Sequence, residues 1–119
     1  MRFHCTGDAR KASSKASHDV IGECPRLKQV LRANPEYGDV VPGTRGLRKM
    51  RVRVQGFRGN RGGYRTIYSK HDTDEGVHVV FHFLFFKGDA ADLHQDKYAE
   101  LSREAERIAA NLAAVAWEE

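Results

Sequence analysis

Three cations alternate with apolar residues near the middle of the sequence. They are Lys49, Arg51 and Arg53, and they are interleaved with Met50, Val52 and Val54. This period of two predicts a half-buried β-strand, in which burial of the apolar set leaves the cations on the other face, about 7 Å apart. Adjacent like charges are costly unless an anion neutralises them, so the row indicates a phosphate-binding surface. The alternative is a solvated strand face whose arginine stems cover apolar surface.

The charge of the chain is concentrated around this row. The net charge is +4, but residues 40–71 contain nine basic residues and no acidic one. The basic residues are Arg45, Arg48, Lys49, Arg51, Arg53, Arg58, Arg61, Arg65 and Lys70. A localised basic segment between acidic ends favours nucleic acid as a partner, whereas a solvated basic face without a ligand is the competing interpretation.

Two further cations belong to neighbouring predicted strands. Arg65 lies between Tyr64 and Thr66, and it joins the cationic row if its strand pairs with residues 49–54. Lys87 follows a long apolar strand, a position that is also typical of an ordinary strand-ending lysine. The glycine-rich loop 56–63 lacks the Walker spacing and is followed by a strand, so we interpret it as a basic hairpin loop.

Other chemistry has little support. Cys5 and Cys24 have no CxxC spacing, and His78 and His82 stand about 13 Å apart on one strand face, which is too far for one metal ion. We expect no metal and no cofactor, and we interpret His82 as a hydrogen-bonded core residue. No membrane-spanning run or secretory signal is found, so a cytoplasmic location is expected.

The element pattern predicts one domain over residues 1–119. Residues 1–24 read as either a mobile arm or an atypical first segment. The predicted elements are a helix from Pro25 to about Ala33, turns over 36–46, strands over 49–54, 64–70 and 77–86, and a helix from about His94 to Ala116. Short loops between consecutive strands predict an antiparallel sheet and an α+β fold.

Several motifs occur in order between residues 27 and 93. They are NPEYGDVVPGT at 34–44, GLRKMR at 46–51, RGGYRTIY at 61–68, FFK at 85–87 and DL at 92–93. In these motifs the chain resembles the RelE/HigB-type toxins of bacterial type II toxin–antitoxin systems. The resemblance implies a small, microbial-ribonuclease-like α+β fold, with helices packed on one face of an antiparallel sheet.

The same resemblance implies a function and its partners. RelE-like toxins are metal-independent, ribosome-dependent mRNA endoribonucleases, in which a ribose 2′-OH attacks the adjacent phosphate and translation is inhibited. The implied partners are mRNA, the ribosome and an antitoxin of the helix-turn-helix type from an adjacent gene, with DNA reached only through the antitoxin. The predicted catalytic set is Lys49, Arg51, Arg65, Lys87 and His94. The RNA-binding set predicted from the basic segment is Arg45, Arg48, Arg53, Arg58 and Arg61.

The chain departs from the toxin pattern at two positions. Gly88 follows the last strand lysine where RelE-like toxins often have a basic residue, and His94 stands where some have a tyrosine. His94 either replaces that tyrosine as acid or base or caps the helix. A second hypothesis is therefore a catalytically weak relative that binds RNA, ribosome or antitoxin without cutting. Sequence-specific DNA binding is a weaker idea, because no helix-turn-helix is recognisable.

Overall fold

A computed structural model describes residues 1–14, 24–52, 63–86 and 92–118. Its elements in chain order are β1 (Arg2–Cys5), α1 (Gly7–Ser14), α2 (Cys24–Ala33), β2 (Asp39–Val40), β3 (Arg48–Val52), β4 (Tyr64–Thr73), β5 (Gly76–Phe86), α3 (Gln95–Ala110) and a 3₁₀ turn (Leu112–Ala114). The strands form one sheet in the order β1-β5-β4-β3-β2. The predicted α+β class is confirmed.

The strands β3, β4 and β5 form the predicted antiparallel meander. Strand β4 extends to Thr73, beyond the predicted end at Lys70, because the turn into β5 is tighter than the polar sequence suggested. The Thr73 hydroxyl accepts from the Glu75 amide and donates to the Gly76 carbonyl, at 3.1 and 2.8 Å. Gly76 has a φ of +116°, which favours glycine at this turn.

The N-terminal segment belongs to the sheet, so the mobile-arm interpretation is wrong for residues 2–14. Strand β1 pairs in parallel with β5, which makes the sheet mixed rather than antiparallel. Phe3 is 1% exposed and packs with Leu31 and Val79. The Thr6 hydroxyl accepts from the Ala9 amide at 3.1 Å, a typical N-cap of α1. A four-residue strand with one buried aromatic is too short to show a period in sequence.

The helices pack against two sets of sheet residues. From α2, Leu27, Val30 and Leu31 belong to a cluster that includes Met50, Tyr68 and Val79. Helix α1 shares a cavity with α2 that is also lined by Val52, Thr66 and Leu84. Helix α3 instead packs through Tyr98 and Leu101 on Ile67 and Phe85. Ile67 and Tyr68 are consecutive in β4, and they belong to the two separate clusters that α3 and α2 complete.

The C-terminal helix is shorter than predicted. Helix α3 ends at Ala110, and after the 3₁₀ turn the chain reaches Glu118, which exchanges backbone hydrogen bonds with Phe3. Its apolar stripe is formed by Leu101, which is buried, and by Ala105 and Ile108, which are half-buried. Within the described residues, no helix is long and apolar enough to cross a membrane.

Candidate nucleic-acid interface

Lys49, Arg51 and Arg65 lie on one face of the sheet. The two β3 residues are separated by Met50, which is buried against the opposite face, as the alternation predicted. Arg65 in β4 is the register partner of Arg51, and it is also the partner of Phe85 in β5. The conditional prediction that Arg65 would join the row is therefore confirmed. Direct cross-strand neighbours have Cβ atoms about 4.5–5.5 Å apart, so the two guanidinium groups occupy one site.

These residues line an open depression of about 400 Å³, which we call the cationic cavity. Its lining consists of Tyr37, Gly38, Asp39, Lys49, Met50, Arg51, Arg65 and Phe85. Phe85 is 9% exposed and belongs to the core beneath it. The cavity thus combines three cations and one acidic residue, Asp39, with an apolar base and an exposed aromatic side chain.

Arg65 is the buried cation of the cavity. It is 7% exposed, and burial together with the charge of Arg51 lowers the pKa of its guanidinium. One of its nitrogens donates to the Tyr64 carbonyl at 3.3 Å. Within the part of the chain that the structure describes, neither Arg51 nor Arg65 contacts a carboxylate. An anion in the cavity would relieve this charge.

Lys49 is held by a carboxylate that the sequence did not predict to be part of the site. Its Nζ lies 3.3 Å from Asp92 Oδ1, and the same oxygen accepts a short hydrogen bond from the hydroxyl of Tyr98. Burial opposes ionisation of Asp92, but the hydrogen bonds from Tyr98 and from the Leu93 amide, together with Lys49, outweigh it and lower its pKa. Burial and the neighbouring carboxylate raise the pKa of Tyr98.

The burial of Tyr98 could have been predicted from its spacing in the sequence. Tyr98 precedes Leu101 by three residues, so it extends the apolar stripe of α3 by one turn, and it is 8% exposed. Asp92 stands in the DL motif at 92–93, which gives no sign of a contact with Lys49. The ion pair with Lys49 depends on how α3 packs on β4 and β5, which local periodicity does not encode.

His94 caps the C-terminal helix. Its backbone is extended, and its Nδ1 accepts from the Asp96 amide at 3.1 Å. This agrees with the capping alternative, and it leaves Nε2 as the only ring nitrogen that can take part in proton transfer. The side chain is 78% exposed, so His94 is accessible to a large ligand.

Two of the predicted RNA-binding arginines have other contacts. Arg45 has a positive φ of 57° and forms an ion pair with Glu106 of α3 at 2.8 Å. Arg48 donates to the carbonyls of Glu36 and Gly38 at 3.1 and 2.8 Å. Neither lines the cationic cavity. The remaining predicted cations, Arg53, Arg58, Arg61 and Lys87, lie outside the described residues, as does the loop from 56 to 62.

His82 is a hydrogen-bonded core residue, as predicted. It is fully buried, its Nε2 lies 2.7 Å from the Ser69 hydroxyl, and its Nδ1 lies 2.7 Å from Glu104 Oε1. The Ser69 hydroxyl also meets His71 Nε2 at 2.7 Å. This chain of polar groups links α3 to β4 and β5.

No protein-family model matches the chain. The evidence for function is therefore the geometry of the cationic cavity together with the motifs of the sequence.

Proposed function

We propose that this protein is the toxin of a type II toxin–antitoxin system and a ribosome-dependent mRNA endoribonuclease of the RelE/HigB type. The observation that carries the proposal is the Arg51–Arg65 pair. Two like charges face each other in one cavity, without a carboxylate contact among the described residues, and Arg65 is nearly buried. A fold tolerates such repulsion when a polyanionic ligand offsets it.

The arrangement suits cleavage of RNA by internal transfer. The ribose 2′-oxygen loses its proton and bonds to the adjacent phosphorus, and the bond from phosphorus to the 5′-oxygen breaks as that oxygen takes up a proton. The step passes through a dianionic, five-coordinate phosphorus, and donors fixed around that centre lower the barrier. Arg51 and Arg65 would bind its equatorial oxygens, and Lys49 would contact the neighbouring phosphate. Desolvation strengthens the interaction of Arg65 with the developing charge, since the effective dielectric is lower than in water.

Two predicted catalytic residues remain: Lys87 of the FFK motif, and His94, which stands where some RelE-like toxins have a tyrosine. Lys87 would complete the cationic set, and His94 would exchange a proton through Nε2. The proposed substrate is mRNA on the ribosome, which places the activity in the cytoplasm. We further propose that a helix-turn-helix antitoxin from an adjacent gene neutralises the protein.

A binding-only role is the second candidate. Two observations favour it: Lys49 is engaged by Asp92, and one ring nitrogen of His94 is used by the helix cap. In this case the cavity would hold RNA, ribosome or antitoxin without a group ready to move a proton.

The test is an in vitro translation reaction in which primer extension detects cuts in the reporter mRNA. We expect the wild-type protein to cut mRNA only while it is translated. Arg65→Ala should reduce the cleavage rate about 10²- to 10³-fold, as for loss of one donor to a developing oxyanion. Arg107→Ala is the matched control, because Arg107 is an exposed arginine in the last turn of α3 and does not line the cavity. Salt-dependent RNA binding without cuts would support the binding-only role, and absence of both would refute the proposal.

A further inference from the structure

An aromatic side chain stands exposed at the rim of the cationic cavity. Tyr37 is 59% exposed, although large apolar side chains are normally covered, and it lines the same depression as Arg51 and Arg65. Val40 in β2 is the other large apolar residue described as exposed, at 51%, and it does not line the cavity. An exposed ring next to phosphate-binding groups is the combination that single-stranded nucleic acids require.

Hydrogen bonds within the loop and from Arg48 of β3 hold the backbone that carries Tyr37. The Asn34 side chain accepts from the Glu36 amide at 3.1 Å, and the Asn34 carbonyl accepts from the Tyr37 amide at 3.1 Å. Arg48 then donates to the carbonyls of Glu36 and Gly38, on either side of Tyr37. The backbone of Tyr37 is thus anchored on both sides.

The loop is also seated on a buried tyrosine. The Tyr68 hydroxyl donates to the Pro35 carbonyl at 3.1 Å and accepts from the Gly38 amide at 2.8 Å. A Cβ added to Gly38 would lie 2.8 Å from the Lys49 carbonyl and 2.9 Å from the Tyr68 ring, so the loop lies in close contact with β3 and β4. The ring of Tyr37 is therefore presented by a backbone that has no room to move towards the sheet.

We propose that Tyr37 is a stacking platform for an unpaired base of the RNA whose phosphates occupy the cationic cavity. This inference rests on the proposed RNA-binding function and adds a residue that holds the base rather than the phosphate. Because the backbone that carries the ring is already anchored, stacking of a base costs the conformational entropy of the Tyr37 side chain alone and not that of the loop. Stacking is tolerant of sequence because every base has a π-face, so Tyr37 would position a nucleotide without selecting one.

The test separates base contacts from phosphate contacts. The probes are a fluorescein-labelled 12-nucleotide oligoadenylate and an abasic phosphodiester chain of the same length, built from tetrahydrofuran units. Fluorescence anisotropy gives the Kd of each for the wild type, Tyr37→Ala, Tyr37→Phe and Val40→Ala. We expect Tyr37→Ala to weaken oligoadenylate binding roughly 5- to 150-fold and to leave binding of the abasic chain unchanged. Tyr37→Phe and Val40→Ala should bind oligoadenylate like the wild type.

The outcomes distinguish this inference from the function it rests on. If Tyr37→Ala binds oligoadenylate as tightly as the wild type, or if it loses both probes equally, Tyr37 is not a stacking platform, while RNA binding and cleavage by the wild type stand. If Val40→Ala weakens binding as much as Tyr37→Ala, the exposed surface acts as a general apolar patch, and the inference is wrong. If the wild type binds neither probe, the proposed RNA-binding function fails first. Far-UV circular dichroism verifies the fold of each variant.

Discussion

Arg51 and Arg65 face each other across the β3–β4 ladder, and the charge of Arg51 adds to burial in lowering the pKa of the Arg65 guanidinium. Like charges that are directly opposite on a sheet destabilise it. The pair therefore works against the stability of the hairpin that forms the floor of the cavity. Stability and function should respond to changes here in opposite directions.

The first prediction concerns this trade-off. Arg51→Gln removes one charge at an exposed position and should raise the free energy of unfolding by about 0.2–1 kcal/mol. The same change should weaken RNA binding and reduce the slope of log K against log salt concentration by about 0.7, the value for one phosphate contact with a single strand. Urea unfolding and a salt titration measure the two effects. A loss of stability in Arg51→Gln, with the exposed control Arg107→Gln unchanged, would argue against a strained pair.

The second prediction concerns Asp92, whose pKa is lowered by Tyr98, Leu93 and Lys49 in spite of burial. A carboxyl with a lowered folded-state pKa contributes stability that is present above its ordinary pKa of 3.8 and is lost as the pH falls below it. Near neutral pH, Tyr98→Phe should lower the free energy of unfolding by about 0.5–1.5 kcal/mol, a modest loss because Asp92 is half-exposed and solvent screens it. At a pH below 3.8 the loss should be smaller, because Asp92 becomes protonated. An equal cost at both pH values would show that Tyr98 acts through packing alone; Tyr37→Phe is the exposed control.

The third prediction concerns His71. Burial and, to a smaller extent, His82 and His78 lower its pKa, and Asp72 opposes them. Because the unfolded chain then binds the proton more tightly, stability is highest above the ordinary pKa of 6.5 and declines as the pH falls below that value. His71→Asn should flatten this decline in urea-unfolding measurements made at a series of pH values. A decline that persists in His71→Asn would place its origin elsewhere, and Ser69→Ala tests whether the hydroxyl that joins the two histidines contributes.

The fourth prediction concerns Gly38, which has no room for a side chain. Gly38→Ala should lower the free energy of unfolding by about 1–3 kcal/mol, as is typical of overpacking. It should also lower the affinity for RNA, because the Tyr37 loop must move away from β3. Gly7→Ala is the matched control: nothing lies within 4 Å of a Cβ there, so stability should be unchanged or up to about 1 kcal/mol higher. Thermal unfolding compares the two variants, and equal melting temperatures would mean that the loop adjusts without cost.

The cationic row could be predicted because its signal is local. Lys49 and Arg51 alternate with apolar residues, and a strand converts that alternation directly into a face. Arg65 required one further step, the pairing of β3 with β4, and the short connection between them in sequence made that pairing the natural expectation. The meander of β3, β4 and β5 was predictable for the same reason.

The residues that escaped prediction depend on contacts between distant segments. Asp92 meets Lys49 only because α3 packs on Ile67 and Phe85, which brings the residues before the helix to β3, and the hydrogen bond from Tyr98 depends on the same packing. Strand β1 has no period of its own and is defined by its partner β5. Arg48 was predicted to bind RNA, but in the structure it donates to the carbonyls of Glu36 and Gly38. This contact exists only because the loop folds back onto β3, which the local sequence does not reveal.

The parallel pairing of β1 with β5 has a consequence for the order of folding. Arg2 pairs with His78, and Phe3 bonds to Glu118, so β1 is stabilised mainly by contacts of very high sequence separation. Such contacts form slowly, because a long loop must close before they contribute. During synthesis β1 and α1 emerge first, yet the hairpin carrying Arg51 and Arg65 can fold earlier from local contacts. The first strand to be made is the last whose hydrogen bonds can be completed.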